Sequence, residues 1–435
     1  MTVSRIEKFQ NHFLVSSPTE TWKELANRVG TFCAKIIFFP YTLVKYSFQR
    51  LIMTFLYPAQ SRLIKFFARP LSLDVLDETK RDGAAYLSRI DIETRDVIFE
   101  KDGIRYHGIL MGHKDKIDNG KWIIQATGNC QPIELGFDNY AYHYANAGFN
   151  TLMINGPAVG HSEGQSTPDT MGDAQEIGIS YLETVVKAKK IILAGFSLGG
   201  AAMSQAIKKH TFKKEIEYLA VRQMTFDCAS NVCAKVVGKG FPRLEELVRK
   251  LVHWACEMDS VAASRKLEEL EIQEIIIQAS SKSFQEGEVP SRDDFISDGV
   301  IAPQASLGAA LVQQGVTKNK IFKGIYAGSH NGGASINTTA AIIKDYGREK
   351  LPLPVTNSVL EEGAPTSPLS DCFNEQPAPS ILVDPHPHSS VTIEPASPHL
   401  LSVTIEPAKT WKQWAHSQIR CLAQSLCPKK NEEVC

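Results

Sequence analysis

The sequence predicts an α/β fold: a mostly parallel sheet, an antiparallel hairpin at its N-terminal end, and helices on both faces. Three observations carry that expectation. Residues 97–100 and 104–111 are strand-like runs joined by Lys101-Asp102-Gly103, the signature of a tight hairpin. Short apolar runs then alternate with helical patterns as far as Asp345. One of these runs breaks into Gly195-Phe196-Ser197-Leu198-Gly199, a strand that ends abruptly in a helix of small residues.

Taken in order, the predicted strands after the hairpin are 122–125, 151–154, 191–194, 218–221, 275–278 and 321–326. Their apolar character is continuous rather than alternating, which suits strands covered on both faces. Helical patterns fall between them at 137–147, 173–186, 201–208, 244–256, 305–312 and 334–345. Residues 240–270 read as a longer helical insertion between two strands, of a size to form a small lid.

The flanks differ in composition. Residues 1–70 carry ten Lys/Arg against three Asp/Glu and read as a basic, apolar helical segment. After Pro40, apolar residues recur at Tyr41, Val44, Phe48, Leu51, Ile52 and Phe55, one stripe of a helix. Lys35, Lys45, Arg50, Arg62 and Lys65 interrupt the run, so no uncharged stretch reaches the ~18–20 residues of a spanning helix. Two readings follow: residues 31–67 lie on an anionic membrane surface, or the stripe is core packed on the domain. The α/β unit is expected over 71–350. Residues 351–408 hold many serines and eleven of the 22 prolines, with Ser-Val-Thr-Ile-Glu-Pro-Ala at 390–396 and again at 402–408. That composition cannot bury a core and reads as a disordered linker. A short C-terminal helix and tail are expected over 409–435.

Bulk properties exclude several classes. A net charge of −1 over 435 residues argues against nucleic-acid binding by the whole chain. Nine cysteines without a Cys-x-x-Cys pair argue against a disulfide framework or a zinc site, and twelve histidines show no His-Glu-x-x-His spacing. The N-terminus lacks the pattern of a cleavable signal peptide.

A chance Gly-x-Ser-x-Gly occurs in roughly one chain in ten of this length at ordinary Gly and Ser usage. The buried strand before it and the small-residue helix after it make Ser197 a nucleophile candidate. A serine raised on a sharp turn leaves no room for side chains two positions either side, and glycines stand at 195 and 199. The nucleophile needs a base, and the base an orienting acid. His330 follows the last predicted strand in Ala327-Gly328-Ser329-His330-Asn331-Gly332-Gly333, where a glycine-rich loop can lean it over the serine. His107, His113 and His143 precede the serine, and His210 ends the next helix.

The acid is expected after the strand at 275–278. Asp298, braced by Gly299-Val300-Ile301, is the first choice, with Asp293, Asp294 and Asp227 as alternatives. The oxyanion hole needs two N–H donors: Leu198 from the elbow, and Asn129 from the loop Ala126-Thr127-Gly128-Asn129-Cys130. Cys130 reads as a small buried residue rather than a nucleophile.

The chain order Ser197, Asp298, His330 resembles that of an α/β hydrolase across residues 95–345. Asn155-Gly156-Pro157-Ala158-Val159-Gly160-His161-Ser162-Glu163-Gly164 resembles the superfamily's Gly-x-Gly-x-Ser-x-Gly loop, departing at Pro157 and Ala158. Thr127-Gly128 departs from its usual His-Gly. The whole chain is similar to chlamydial hydrolases of the CHLPS type and, more distantly, to effector hydrolases of the SidB kind. The resemblance implies a serine hydrolase acting on an ester or thioester, a lipid or other acyl substrate, with no metal or organic cofactor. It also implies a bacterial cytoplasmic or membrane-associated protein, with secretion as an effector a further destination. The competing class is a non-catalytic binding protein on the same fold.

Overall fold

The computed structural model describes residues 9, 12–14, 44, 45, 47, 49, 72–129, 131–326, 330 and 336–347. The stripe from Tyr41 to Phe55, the linker at 351–408, the C-terminal helix at 409–435 and Cys130 fall wholly or mostly outside these residues.

Among the described residues one nine-stranded sheet runs in the order β1-β2-β3-β5-β4-β6-β7-β8-β9. Its strands are β1 (His12–Leu14), β2 (Ile92–Lys101), β3 (Ile104–His113), β4 (Lys121–Ala126), β5 (Asn150–Ile154), β6 (Lys190–Phe196), β7 (Glu217–Gln223), β8 (Gln273–Ala279) and β9 (Lys320–Ile325). Its helices are α1 (Leu73–Arg89), α2 (Phe137–Asn146), α3 (Pro168–Thr184), α4 (Leu198–Lys209), α5 (Ala229–Gly238), α6 (Glu245–Cys256), α7 (Ser260–Glu269), α8 (Leu307–Gln313) and α9 (Ile336–Gly347). Strand β3 is antiparallel to β2 and β5, and every pair from β5 through β4 to β9 is parallel. This is the mostly parallel sheet with an antiparallel hairpin that the alternating runs predict, and the α/β-hydrolase architecture that the resemblance implies.

The hairpin turn is Asp102-Gly103, with φ of 52° and 73°. Two positive φ values make a turn whose twist matches the strands, and Asp-Gly tolerates them. Both strands are longer than their apolar cores, extending to Ile92 and His113 through polar residues that the apolar pattern leaves out.

Alternate residues of the central strands enter opposite layers, as the pleat requires. Trp122, Ile124, Ile191, Leu193, Tyr218 and Ala220 join the layer beneath α3 and α4. Ile123, Ile192, Ala194, Leu219 and Val221 join the opposite layer with Tyr144 of α2 and Ile343 of α9. The continuous apolar runs are thus explained by burial on both faces.

Three helices differ from the sequence expectation. Helix α1 was not predicted; it buries only Leu76, Gly83 and Leu87, too sparse a pattern to read. The insertion begins earlier than residue 240, with α5, and folds against α6 as a helical hairpin. Within it α6 matches the predicted helix at 244–256, and a further helix, α7, is capped by Asp259, whose Oδ1 accepts from the Ala262 N–H at 3.0 Å.

A polar network ties α3 to the hairpin and to the end of α4. Lys101 Nζ donates to Asp173 and Glu176 at 2.9 Å each, and His210 faces Glu176 at 3.4 Å and Glu183 at 2.7 Å. The His210 hydrogen bond, with that of Lys101, outweighs burial and holds the Glu176 carboxyl down at about 2. A depressed carboxylate stabilises the fold above its unfolded pKa near 4.5, and the contribution fades as pH falls towards 2. Glu176→Gln is therefore expected to destabilise the protein at pH 7 by roughly 1–3 kcal/mol and by progressively less below pH 4. Urea unfolding at the two pH values checks this; an equal loss at both would place the effect elsewhere.

Candidate active site

The site forms where β6 gives way to α4. Ser197 has φ 53° and ψ −119°, a left-handed conformation that costs a non-glycine residue energy and lifts its side chain off the turn. The surroundings leave no room for neighbouring side chains. A Cβ on Gly195 would stand 2.6 Å from the Gly200 Cα, and one on Gly199 would run into the carbonyl oxygens of Ala126 and Thr127. The two flanking glycines are thus required by close backbone approach. Gly199→Ala is expected to push the 126–129 loop away from the elbow and to lower ester turnover at least about tenfold, with far-UV circular dichroism unchanged. Unaltered turnover would mean that this contact does not set the loop's position.

His330 bridges the two other predicted residues. Its Nε2 lies 2.8 Å from Ser197 Oγ, and its Nδ1 lies 2.7 Å from Asp298 Oδ2. Both His330 and Asp298 are buried, and the Phe196 ring packs against the imidazole with centroids 5.3 Å apart. The second carboxylate oxygen of Asp298 accepts from the N–H groups of Val300 at 3.0 Å and Ile301 at 2.7 Å. The carboxylate is therefore held by its own loop with one oxygen left for the imidazole, a geometry that fixes the ring and its tautomer.

The other acid candidates are engaged elsewhere. Asp227 Oδ1 accepts from the Cys228 N–H at 2.6 Å and Oδ2 from Asn231 at 2.6 Å; burial pushes its carboxyl up to about 7. Asp294 accepts from the Ser291 N–H at 2.7 Å and pairs with Lys282 at 3.4 Å, and Asp293 lies with it in a short, exposed helical turn. His107 and His210 are buried among carboxylates: His107 faces Asp96 at 3.0 Å and Glu134 at 3.2 Å, and His210 faces Glu183.

Leu198 is the first residue of α4, where a backbone N–H has no acceptor within the helix. The Asn129 loop leaves β4 beside the elbow, since Ala126 pairs with Gly195. Gly128 packs on Phe196, so a Cβ there would lie 2.8 Å from its ring.

Two supporting residues escape the sequence reading. Gln131 braces the 126–129 loop: its side-chain oxygen accepts from the Gly128 N–H at 3.3 Å, and its carbonyl accepts from the Thr127 hydroxyl at 2.7 Å. Arg222 is fully buried on β7; its Nη1 donates to the Gly200 carbonyl and, at 2.5 Å, to Ser204 Oγ. It pins the first turn of α4 from below, with Glu274 facing it at 3.7 Å. An arginine directly after the apolar run Tyr218–Val221, still within β7, is the available signal. The Asn155 loop adds a further brace. Asn155 Oδ1 accepts from the Ile133 N–H at 3.0 Å and its amide donates to Glu134 at 2.8 Å.

The helical hairpin packs beside this site. Cys233 of α5 and Val252 and Ala255 of α6 share a core with Leu198, Ala201 and Ala202 of α4 and with Ile301. Among the described residues no group of three or more His, Cys, Asp or Glu side chains is placed to hold a metal ion. Nor is any described helix long and apolar enough to cross a membrane.

The family model described as Chlamydia CHLPS protein (DUF818) matches residues 23–348. Among solved structures, an esterase of Pyrococcus furiosus is 16% identical, with 60% of this chain and 89% of that chain covered and a TM-score of 0.41. An alpha-beta hydrolase from Vibrio vulnificus is 14% identical, with 66% and 92% covered and a TM-score of 0.46. The thioesterase domain from the curacin biosynthetic pathway is 12% identical, with 57% and 98% covered and a TM-score of 0.35. A search of curated proteins gives no match.

Proposed function

The chain belongs to the Chlamydia CHLPS protein family, and from that premise and its site we propose that it is a serine hydrolase of carboxylic esters or thioesters. The observation that carries this reading is the unbroken relay from Ser197 Oγ through both nitrogens of His330 to Asp298, with contacts of 2.8 and 2.7 Å.

In the proposed mechanism Ser197 Oγ attacks the substrate carbonyl carbon while His330 Nε2 takes the hydroxyl proton. Asp298 accepts the Nδ1–H, holding the ring in the tautomer whose Nε2 has a free lone pair, and stabilises the imidazolium that forms. The carbonyl oxygen becomes an oxyanion facing the N–H groups of Leu198 and Asn129. Collapse breaks the bond to the alcohol or thiol, which leaves with the proton from His330, and an acyl-serine remains. Water then gives its proton to His330 and attacks the acyl carbon. Collapse of the second intermediate frees the acid and returns the proton to Ser197.

The acyl group is proposed to come from a membrane lipid or similar ester. The support is the basic, apolar segment at 31–67, which suits an anionic surface. An ester panel of increasing acyl length tests the reading. Turnover that rises with chain length is expected, and no turnover of any ester or thioester by folded protein would refute it.

A further inference from the structure

The hairpin of α5 and α6 ends in a tip whose chemistry does not match that of a solvated turn. Phe241, Leu244 and Leu247 stand 61%, 44% and 53% exposed. They are spaced by three residues, through the turn and into the start of α6, so they crowd one end of the hairpin. Large apolar side chains clustered in this way mark a surface that meets another phase or partner. The charges around them are lopsided, with five cations against two acids over residues 235–250. Both acids are already engaged. Glu245 pairs with Lys235 at 2.7 Å and Arg249 at 2.9 Å, and Glu246 pairs with Arg249 at 3.6 Å and Lys250 at 3.7 Å. Lys239 and Arg243, which flank Phe241, have no carboxylate within 4.0 Å among the described residues.

We propose that this tip, residues 239–247, docks on an anionic lipid surface, with Phe241, Leu244 and Leu247 entering the headgroup–acyl boundary and Lys239 and Arg243 meeting lipid phosphates. An aromatic and two leucines give the apolar area, and the two unmatched cations sit where long basic side chains can reach headgroups. The position gives docking a consequence. Lys239 Nζ donates to the Gly299 carbonyl at 3.4 Å, one residue from Asp298, so a docked tip holds the Asp298 loop at the membrane. The inference rests on residues 235–250 alone and stands whether or not Ser197 is a nucleophile.

The test uses full-length protein and vesicles of phosphatidylcholine alone or mixed with phosphatidylglycerol. In the Phe241→Trp variant, the emission added over wild type is expected to shift to the blue with the anionic vesicles and to be quenched by brominated lipid chains. Phe241→Ser/Leu244→Ser/Leu247→Ser is expected to lower partitioning at least about tenfold. Lys239→Gln/Arg243→Gln is expected to lower it by roughly 20-fold at low salt. All substituted side chains are exposed or half-exposed, and thermal unfolding near the wild-type temperature confirms the fold. Emission at position 241 that stays solvent-like while the protein sediments with vesicles would overturn the proposal, because another surface would then be docking. A lipid-free dimer abolished by the triple variant would overturn it in favour of a second copy.

Discussion

Ser197→Ala is expected to lower ester turnover by at least about 10³-fold while the fold stays intact, because members of a proton relay act as a unit. The substitution removes one oxygen, which lies 2.8 Å from His330 Nε2. It leaves in place the backbone contacts that shape the elbow, including the Ser197 N–H to Gln223 carbonyl bond at 2.9 Å. Thermal unfolding close to wild type with turnover at background is the expected pair of results. Full turnover by the variant would move the nucleophile elsewhere.

The second large effect is expected at Asp298. In Asp298→Asn the side-chain oxygen can keep the N–H bonds from Val300 and Ile301, now at 3.0 and 2.7 Å, which turns the amide nitrogen towards His330 Nδ1. That nitrogen is a donor, so it selects the tautomer with Nδ1 unprotonated and the proton on Nε2. Such an imidazole cannot take the Ser197 proton, and turnover should fall by roughly 10²–10⁴-fold with little change in stability. Asp227→Asn is expected to have little effect on turnover. Its carboxyl, already pushed up to about 7 by burial, bonds to Cys228 and Asn231 and not to His330. Measuring both variants at pH 8 separates the two aspartates; the reverse pattern would place the orienting acid after β7.

The parts of the site that were legible in the sequence are those set by short-range sterics or by the order of mechanism. Gly195 and Gly199 announce the elbow because no other residue fits beside the backbone atoms they meet. His330 and Asp298 are legible because the loops at the ends of parallel strands face Ser197, as the order β6-β7-β8-β9 requires. Gln131 and Arg222 were not found, because their roles depend on bonds to backbone groups of other segments that composition does not reveal. Helix α1 is not legible for a related reason: it packs on β2 and α2 through three buried positions, while Leu73, Val75 and Tyr86 stand exposed and blur the apolar pattern. Helix α7 is not legible as a separate element because its capping Asp259 looks like one more surface charge until its N–H partner is known.

The central claim is that Ser197 is an activated nucleophile, and covalent labelling by a fluorophosphonate tests it most directly. The account predicts one adduct per chain in the intact mass, placed on Ser197 by peptide mapping. It also predicts that labelling is abolished in Ser197→Ala and slowed at least about 10²-fold in His330→Ala. A folded protein that takes up no label, or takes it up at a residue other than Ser197, would contradict the account.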